Sequence, residues 1–155
     1  MRILGIDPGS RLTCIGVIDC DGGQVRCVGY TTIRTIDGTF PERLGQIFTA
    51  INTVMQEYQP HQVAIEKVFV NKNAESSLKL GHARGAAICA VVQHDVPVAE
   101  YSPNAVKKAL VGRGHADKGQ VEHMIKVLLG LQEKVQADAA DALAVALFPA
   151  GPITL

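Results

Sequence analysis

No apolar run in this chain is long enough to cross a bilayer. The stretch Ala86 to Val92 is among the longest, where about 20 residues would be needed. No secretory leader is expected either, because Asp7 interrupts the first apolar stretch and no cleavable hydrophobic region follows. The four cysteines (Cys14, Cys20, Cys27, Cys89) contain no CxxC pair and no other zinc-ligand spacing. Lying among apolar neighbours, they read as buried thiols in a reducing compartment, and the chain as a cytoplasmic protein with no membrane partner. The five histidines lack HxxxH or similar spacing. G-x-x-x-x-G-K-[ST], G-x-S-x-G and G-x-G-x-x-G are all missing, which excludes the P-loop, nucleophile-elbow and dinucleotide fingerprints. Repeats, linkers and low-complexity tracts are also missing. Net charge is zero, but unevenly distributed: −2 over residues 1–66, +4 over 67–126 and −2 beyond. That basic middle permits contact with nucleic acid without requiring it.

What is present fits one folded domain spanning residues 1–155. Hydrophobic residues make up 47% and charged residues 19% of the chain, against disorder. A domain of this length buries roughly 68–70% of its unfolded surface, so a substantial core is expected. Arg2–Asp7, Thr13–Cys20 and Gln24–Arg34 read as strands, the last two joined by the hairpin signal Asp21-Gly22-Gly23. Thr39-Phe40-Pro41-Glu42 has the form of a capping box, and the apolar spacing from Leu44 to Tyr58 predicts a helix stopped by Pro60. Gln62–Glu66 reads as a buried strand, Phe69–Asn73 as a loop, 75–94 as an Ala-rich helix and Pro97–Tyr101 as a strand. Helices follow after Ser102-Pro103, over 117–129 and over 137–147. This order of strands and helices predicts an α/β fold, a five-stranded mixed sheet flanked by helices on both faces.

Four acids carry the chemical signal: Asp7, Glu66, Asp138 and Asp141. Asp7 and Glu66 each close an apolar strand, and parallel strands would bring both to the sheet edge where α/β proteins place ligands. Asp138 and Asp141 stand three apart, on one face of the first turns of the last helix. Each acid also has a structural reading. Asp7-Pro8-Gly9-Ser10 is a good turn sequence, and Asp138 fits an N-cap with Asp141 as its partner. Glu66, directly after Val-Ala-Ile, is harder to explain that way, since a buried acid needs a partner or a metal. Convergence of all four would require cations to offset their repulsion, and hard divalent ions with oxygen ligands suit the set. Two such ions about 3.5–4 Å apart would activate a water for phosphodiester cleavage. His115 and His123, in the basic segment, are candidates for phosphate contact.

The ordered motifs resemble the RuvC-type Holliday-junction resolvases. They are Gly5-Ile6-Asp7-Pro8-Gly9-Ser10-Arg11-Leu12-Thr13; Ala64-Ile65-Glu66 with Val68-Phe69 and Asn73; and Ser77 through Gly85. Val106-Lys107, Gly112-x-Gly114, Asp117-Lys118-x-Gln120-Val121 and Ala137 through Ala144 complete the series. The resemblance covers essentially the whole chain. It implies a ribonuclease-H-like fold and a homodimer that nicks two opposing strands of four-way junction DNA symmetrically in recombination and repair. It further implies that Asp7, Glu66, Asp138 and Asp141 hold Mg²⁺ (or Mn²⁺), two ions per site. Phe69 matches an aromatic that stacks on a base, and Lys107 and Lys118 match basic residues near the scissile phosphate. Arg84, Lys108 and Arg113 match weaker candidates for backbone contact, and a RuvA–RuvB branch-migration motor is an implied partner. Three positions depart from the usual pattern: Cys14 stands for glycine, and Lys67 and His82 each for glutamine. A junction-binding module without cleavage and a nuclease acting on RNA are the competing readings. The intact acid quartet argues against the first and the ordered motifs against the second. An actin-like kinase, whose first phosphate loop also resembles the Gly5–Gly9 motif, is excluded mainly by length.

Overall fold

Alternation along the first strand sets two layers of core. In β1 (Arg2–Asp7), Ile3 turns to one face of the sheet and Leu4 and Ile6 to the other, as the pleat requires. The computed structural model describes residues 1–112 and 117–150. β2 (Leu12–Asp21) runs antiparallel to β1, and β3 (Gln24–Arg34) antiparallel to β2. Between β2 and β3 the turn uses Gly22 and Gly23 at φ 55° and 84°, where side chains are disfavoured. β4 (Gln62–Glu66) and β5 (Val98–Tyr101) add parallel strands, giving the order β3-β2-β1-β4-β5. Ile6 pairs with Ile65, so Asp7 and Glu66, the next residue on each strand, leave the sheet at the same edge.

Two helices cover one face. α1 (Phe40–Tyr58) opens on the expected capping box, Thr39 with Glu42, and ends at Gln59 in the left-handed region just before Pro60. α2 (Ala74–Val92) is capped by Asn73. Ile47, Ile51, Val54 and Met55 of α1 and Ala83, Ala87 and Ala90 of α2 join Leu4, Ile6, Ile15, Val17, Val63 and Ile65 in one core. The small-residue surface of α2 is therefore divided. Ala83, Ala87 and Ala90 turn into this core, whereas Gly81 and Gly85 have nothing within 4 Å of where a side chain would begin.

On the opposite face lie α3 (Pro103–Val111), α4 (Lys118–Leu129) and α5 (Ala137–Leu147), followed by a 3₁₀ turn over Phe148–Ala150. α5 is the central helix of this layer, and its approach depends on Gly5 and Gly16, which face each other across β1 and β2. A Cβ on Gly5 would fall on the Ala142 carbonyl and 2.6 Å from the Ala146 nitrogen; one on Gly16 would meet the Leu143 nitrogen at 2.7 Å. Glycine is required here by close backbone approach.

Two expectations need correction. Only Cys14 is fully buried; Cys20 and Cys27 are half-buried and Cys89 is exposed, because it sits on the side of α2 turned away from the core. Asp138 is not the N-cap of the last helix. That position is Gln136, with no side-chain cap, which leaves Asp138 and Asp141 free for another role. Among the described residues no helix is long and apolar enough to cross a membrane.

Candidate active site

The site is assembled from the ends of two strands and the start of one helix. Asp7 ends β1, Glu66 ends β4, and Asp138 and Asp141 stand in the first turns of α5, which Gly5 and Gly16 allow to lie against β1 and β2. Asp7 does not hold its own turn. Thr13 does so, its hydroxyl donating to the Gly9 carbonyl at 2.9 Å and accepting from the Gly9 amide at 3.2 Å. Arg43, from α1, adds a clamp: its Nη2 donates to the Ser10 carbonyl at 2.7 Å. Among the described residues none of the four carboxylates is engaged in a hydrogen bond or ion pair.

Their electrostatics record their proximity. Burial first, then the charges of Asp141 and Asp138, raise Asp7 to about 6, and Lys118 partly offsets this. Glu66 is raised to about 7, again by burial first and then by Asp7 and Asp141, with Lys107 opposing. Asp141 is raised by burial and by Asp138 and Glu122, and held down by Lys118 and Lys107. Asp7, Glu66 and Asp141 thus feel other charges of the set, and the two lysines that the resemblance singled out are the cations that oppose them.

A donor set made only of carboxylate oxygens fits a hard divalent ion rather than zinc. The mutual repulsion of these acids, Asp138 exposed and the other three half-buried, is the load such an ion would relieve. Among the described residues no three Asp, Glu, His or Cys side chains already converge on one ion position.

The remaining candidates surround this edge. Phe69, on the loop after β4, is 66% exposed and Val70 beside it 83%, so neither belongs to the core. Lys107 is half-buried on α3, Lys108 exposed beside it, and Lys118 exposed at the start of α4. Arg84 is engaged by the protein itself, donating to the Glu66 carbonyl and pairing with Glu100. His123 lines a groove between α3 and α4 together with Leu110, Val111 and Met124. Arg113 and His115 lie outside the described residues. A separate cavity of about 880 Å³ opens where β1 begins, but its Arg2 and Arg26 are already paired with Asp19.

Sequence reasoning did not find Arg43, Glu100 or Glu122. Their roles depend on long side chains crossing between elements, and no local spacing reports that. The paired glycines Gly5 and Gly16, lying within buried strands, did carry a readable sign of close backbone approach.

The family model described as "Crossover junction endodeoxyribonuclease RuvC" matches residues 3–148. The protein of that name from Xanthomonas campestris pv. campestris (strain B100) is 55% identical over 148 residues, spanning 94% of this chain and 85% of the relative. The structure of Thermus thermophilus RuvC superposes with a TM-score of 0.87 at 36% identity, covering 96% of this chain and 92% of that one. The T. thermophilus protein in complex with Holliday junction substrate gives a TM-score of 0.89 at the same identity and coverage. With the carboxylates at one sheet edge and the likeness running almost end to end, the chain belongs to the RuvC family of crossover junction endodeoxyribonucleases.

Proposed function

We propose that this chain, acting as a single nuclease domain over residues 1–155, resolves four-way DNA junctions by paired, symmetric phosphodiester hydrolysis in recombination and repair. The observation that carries this is the set Asp7, Glu66, Asp138 and Asp141 at one sheet edge, faced by Lys107 and Lys118. The junction-bound Thermus relative supports the substrate class.

Asp7, Glu66, Asp138 and Asp141 would hold two Mg²⁺ or Mn²⁺ ions. When bound, such ions supply Lewis acidity to a phosphoryl oxygen and to the attacking water. The protein's own groups do the rest. Lys107 and Lys118 offset the charge of the incoming phosphate, then the negative charge that grows as water oxygen bonds to phosphorus and the strand oxygen leaves. Phe69, projecting into solvent beside Glu66, offers a face for an unpaired base at the crossover. Lys108 and Arg113 supply further backbone contacts. A homodimer matches two equivalent strands of a symmetric junction with two sites. A RuvA–RuvB motor is the implied partner, and the free thiols suit the cytoplasm.

The test is a set of variants assayed for binding and cutting separately. Asp7→Asn and Glu66→Gln should lose cleavage by at least about 100-fold. Both should keep or improve junction affinity, because negative charge facing the phosphate falls. Loss of binding in step with cleavage would make Asp7 a residue needed for folding rather than for chemistry and contradict the assignment.

A further inference from the structure

The loop that leaves the active-site edge is short, Lys67 to Asn73, and both of its ends are fastened to α2. At the far end Asn73 accepts from the Ser76 amide at 3.1 Å. There too Ser77 Oγ donates to the Asn73 carbonyl at 3.0 Å and accepts from the Asn71 amide at 3.1 Å. At the near end the fastener is Arg84, two turns further along the same helix. Its Nε donates to the Glu66 carbonyl at 2.9 Å, and its Nη2 pairs with the Glu100 carboxylate. Glu100 lies on β5 directly across from Ile65, one residue before the sheet edge. The Arg84 side chain is only 16% exposed.

The Glu66 carboxylate has no hydrogen bond of its own among the described residues, so its direction is set through its backbone. The Lys67 amide, bonded to the Tyr101 carbonyl at 2.8 Å, and Arg84 are what fix that backbone. The planar fork reaches the β4 carbonyl through Nε and the β5 carboxylate through Nη2; a lysine has one nitrogen to place between the two. Glu100 already offsets the charge of this guanidinium, which a phosphate would otherwise meet in full.

We propose that Arg84 is a positioning residue: by bridging the Glu66 carbonyl and the Glu100 carboxylate it locks the ends of β4 and β5 to α2 and so aims Glu66 into the carboxylate cluster. The role rests on Glu66 being one of the metal-holding acids. Glu100 acquires a function by the same bridge, although an anion there can only weaken contact with DNA. The loop carrying Phe69 shares the anchor, which ties the base-stacking surface and Glu66 to one helix.

The experiment compares Arg84→Ala, Arg84→Lys and Glu100→Gln with the unaltered protein. Junction affinity is measured in EDTA across a salt series, cleavage as a single-turnover rate, and Mn²⁺ affinity by calorimetry without DNA. Positioning predicts junction affinity within about 2-fold and an unchanged salt slope, since no phosphate contact is lost. It predicts a cleavage rate lower by about 10–100-fold, because small misplacements of reacting groups are costly. Mn²⁺ binding should weaken by about 10-fold, the usual cost of removing a supporting contact. Lysine should restore neither. A phosphate contact predicts the opposite: affinity lost in Arg84→Ala with a shallower salt slope, recovered by Arg84→Lys, and Glu100→Gln binding junctions more tightly at an undiminished rate. Either that pattern, or an unaltered rate and Mn²⁺ affinity in Glu100→Gln and Arg84→Lys, overturns the proposal. These two variants decide the matter even if Arg84→Ala does not fold. If the unaltered protein cuts no junction, the nuclease reading fails, while the Mn²⁺ titrations still decide whether Arg84 sets Glu66.

Discussion

At the scale of single residues, the raised acids make a measurable statement about pH. Asp7 at about 6 and Glu66 at about 7 hold protons in the folded chain far above their ordinary values of 3.8 and 4.5. A group whose folded pKa is raised contributes stability that is complete below the unfolded value and disappears as pH climbs through the folded one. Without metal, the melting temperature should therefore fall between about pH 4 and pH 7.5, most steeply near about 5 to 6, midway between the unfolded and folded values. Asp19, held low by Arg2, acts with the opposite sign but only in more acid solution. Differential scanning calorimetry on the metal-free protein and on the double variant Asp7→Asn/Glu66→Gln checks this. The amides do not titrate, so the decline should flatten in the variant. An identical decline in both would assign it to other groups. Lys107→Ala and Lys118→Ala belong to the same scale. Each should slow junction cleavage by about 10²–10³-fold, the cost typical of losing one group that stabilises developing charge. Junction affinity, measured beside the rate, should change far less.

At the scale of elements, the site depends on how closely α5 can lie on the sheet. Gly5→Val would drive a side chain into the Ala142 carbonyl and the Ala146 nitrogen. Overpacking of this kind costs about 1–3 kcal/mol or more, and it should displace Asp138 and Asp141 together. Chemical denaturation and cleavage should both register the change. Gly45→Ala is the control: this exposed α1 position has nothing within 4 Å, so alanine should stabilise by about 0.5–1 kcal/mol and leave cleavage unaltered. The strands and helices were legible because local signals agreed: Thr39 with Glu42, Asp21-Gly22-Gly23, Pro60 and Ser102-Pro103 all act where their chemistry predicts. Glu66 was legible as an acid ending an apolar strand. What the pattern could not carry was contact at a distance. The Arg43 clamp on Ser10 and the Arg84 bridge between β4 and β5 span 33 and 18 residues, and nothing near either arginine in the sequence announces its partner. Asp138 was misread as a possible cap because N-cap preference and helix position alone cannot separate it from the second helical position.

At the scale of the whole molecule, zero net charge conceals a division of labour. The acids gather at one sheet edge, while Lys107, Lys108 and Lys118 belong to the segment of net +4. A neutral protein can in this way set a cluster of acids beside a rim of lysines. The exposed side of α2, with Leu78, Gly81, Gly85 and Val92, is left outside the core, and a homodimer would have this surface available. The most direct measurement is incubation of the purified protein with a mobile four-way DNA junction, in Mg²⁺ or in EDTA, beside linear duplex and single-stranded RNA. Paired, ligatable nicks on the junction alone, and only with metal, are the predicted result. Tight junction binding with no nicks in any divalent metal, or cutting of the RNA in preference to the junction, would contradict it.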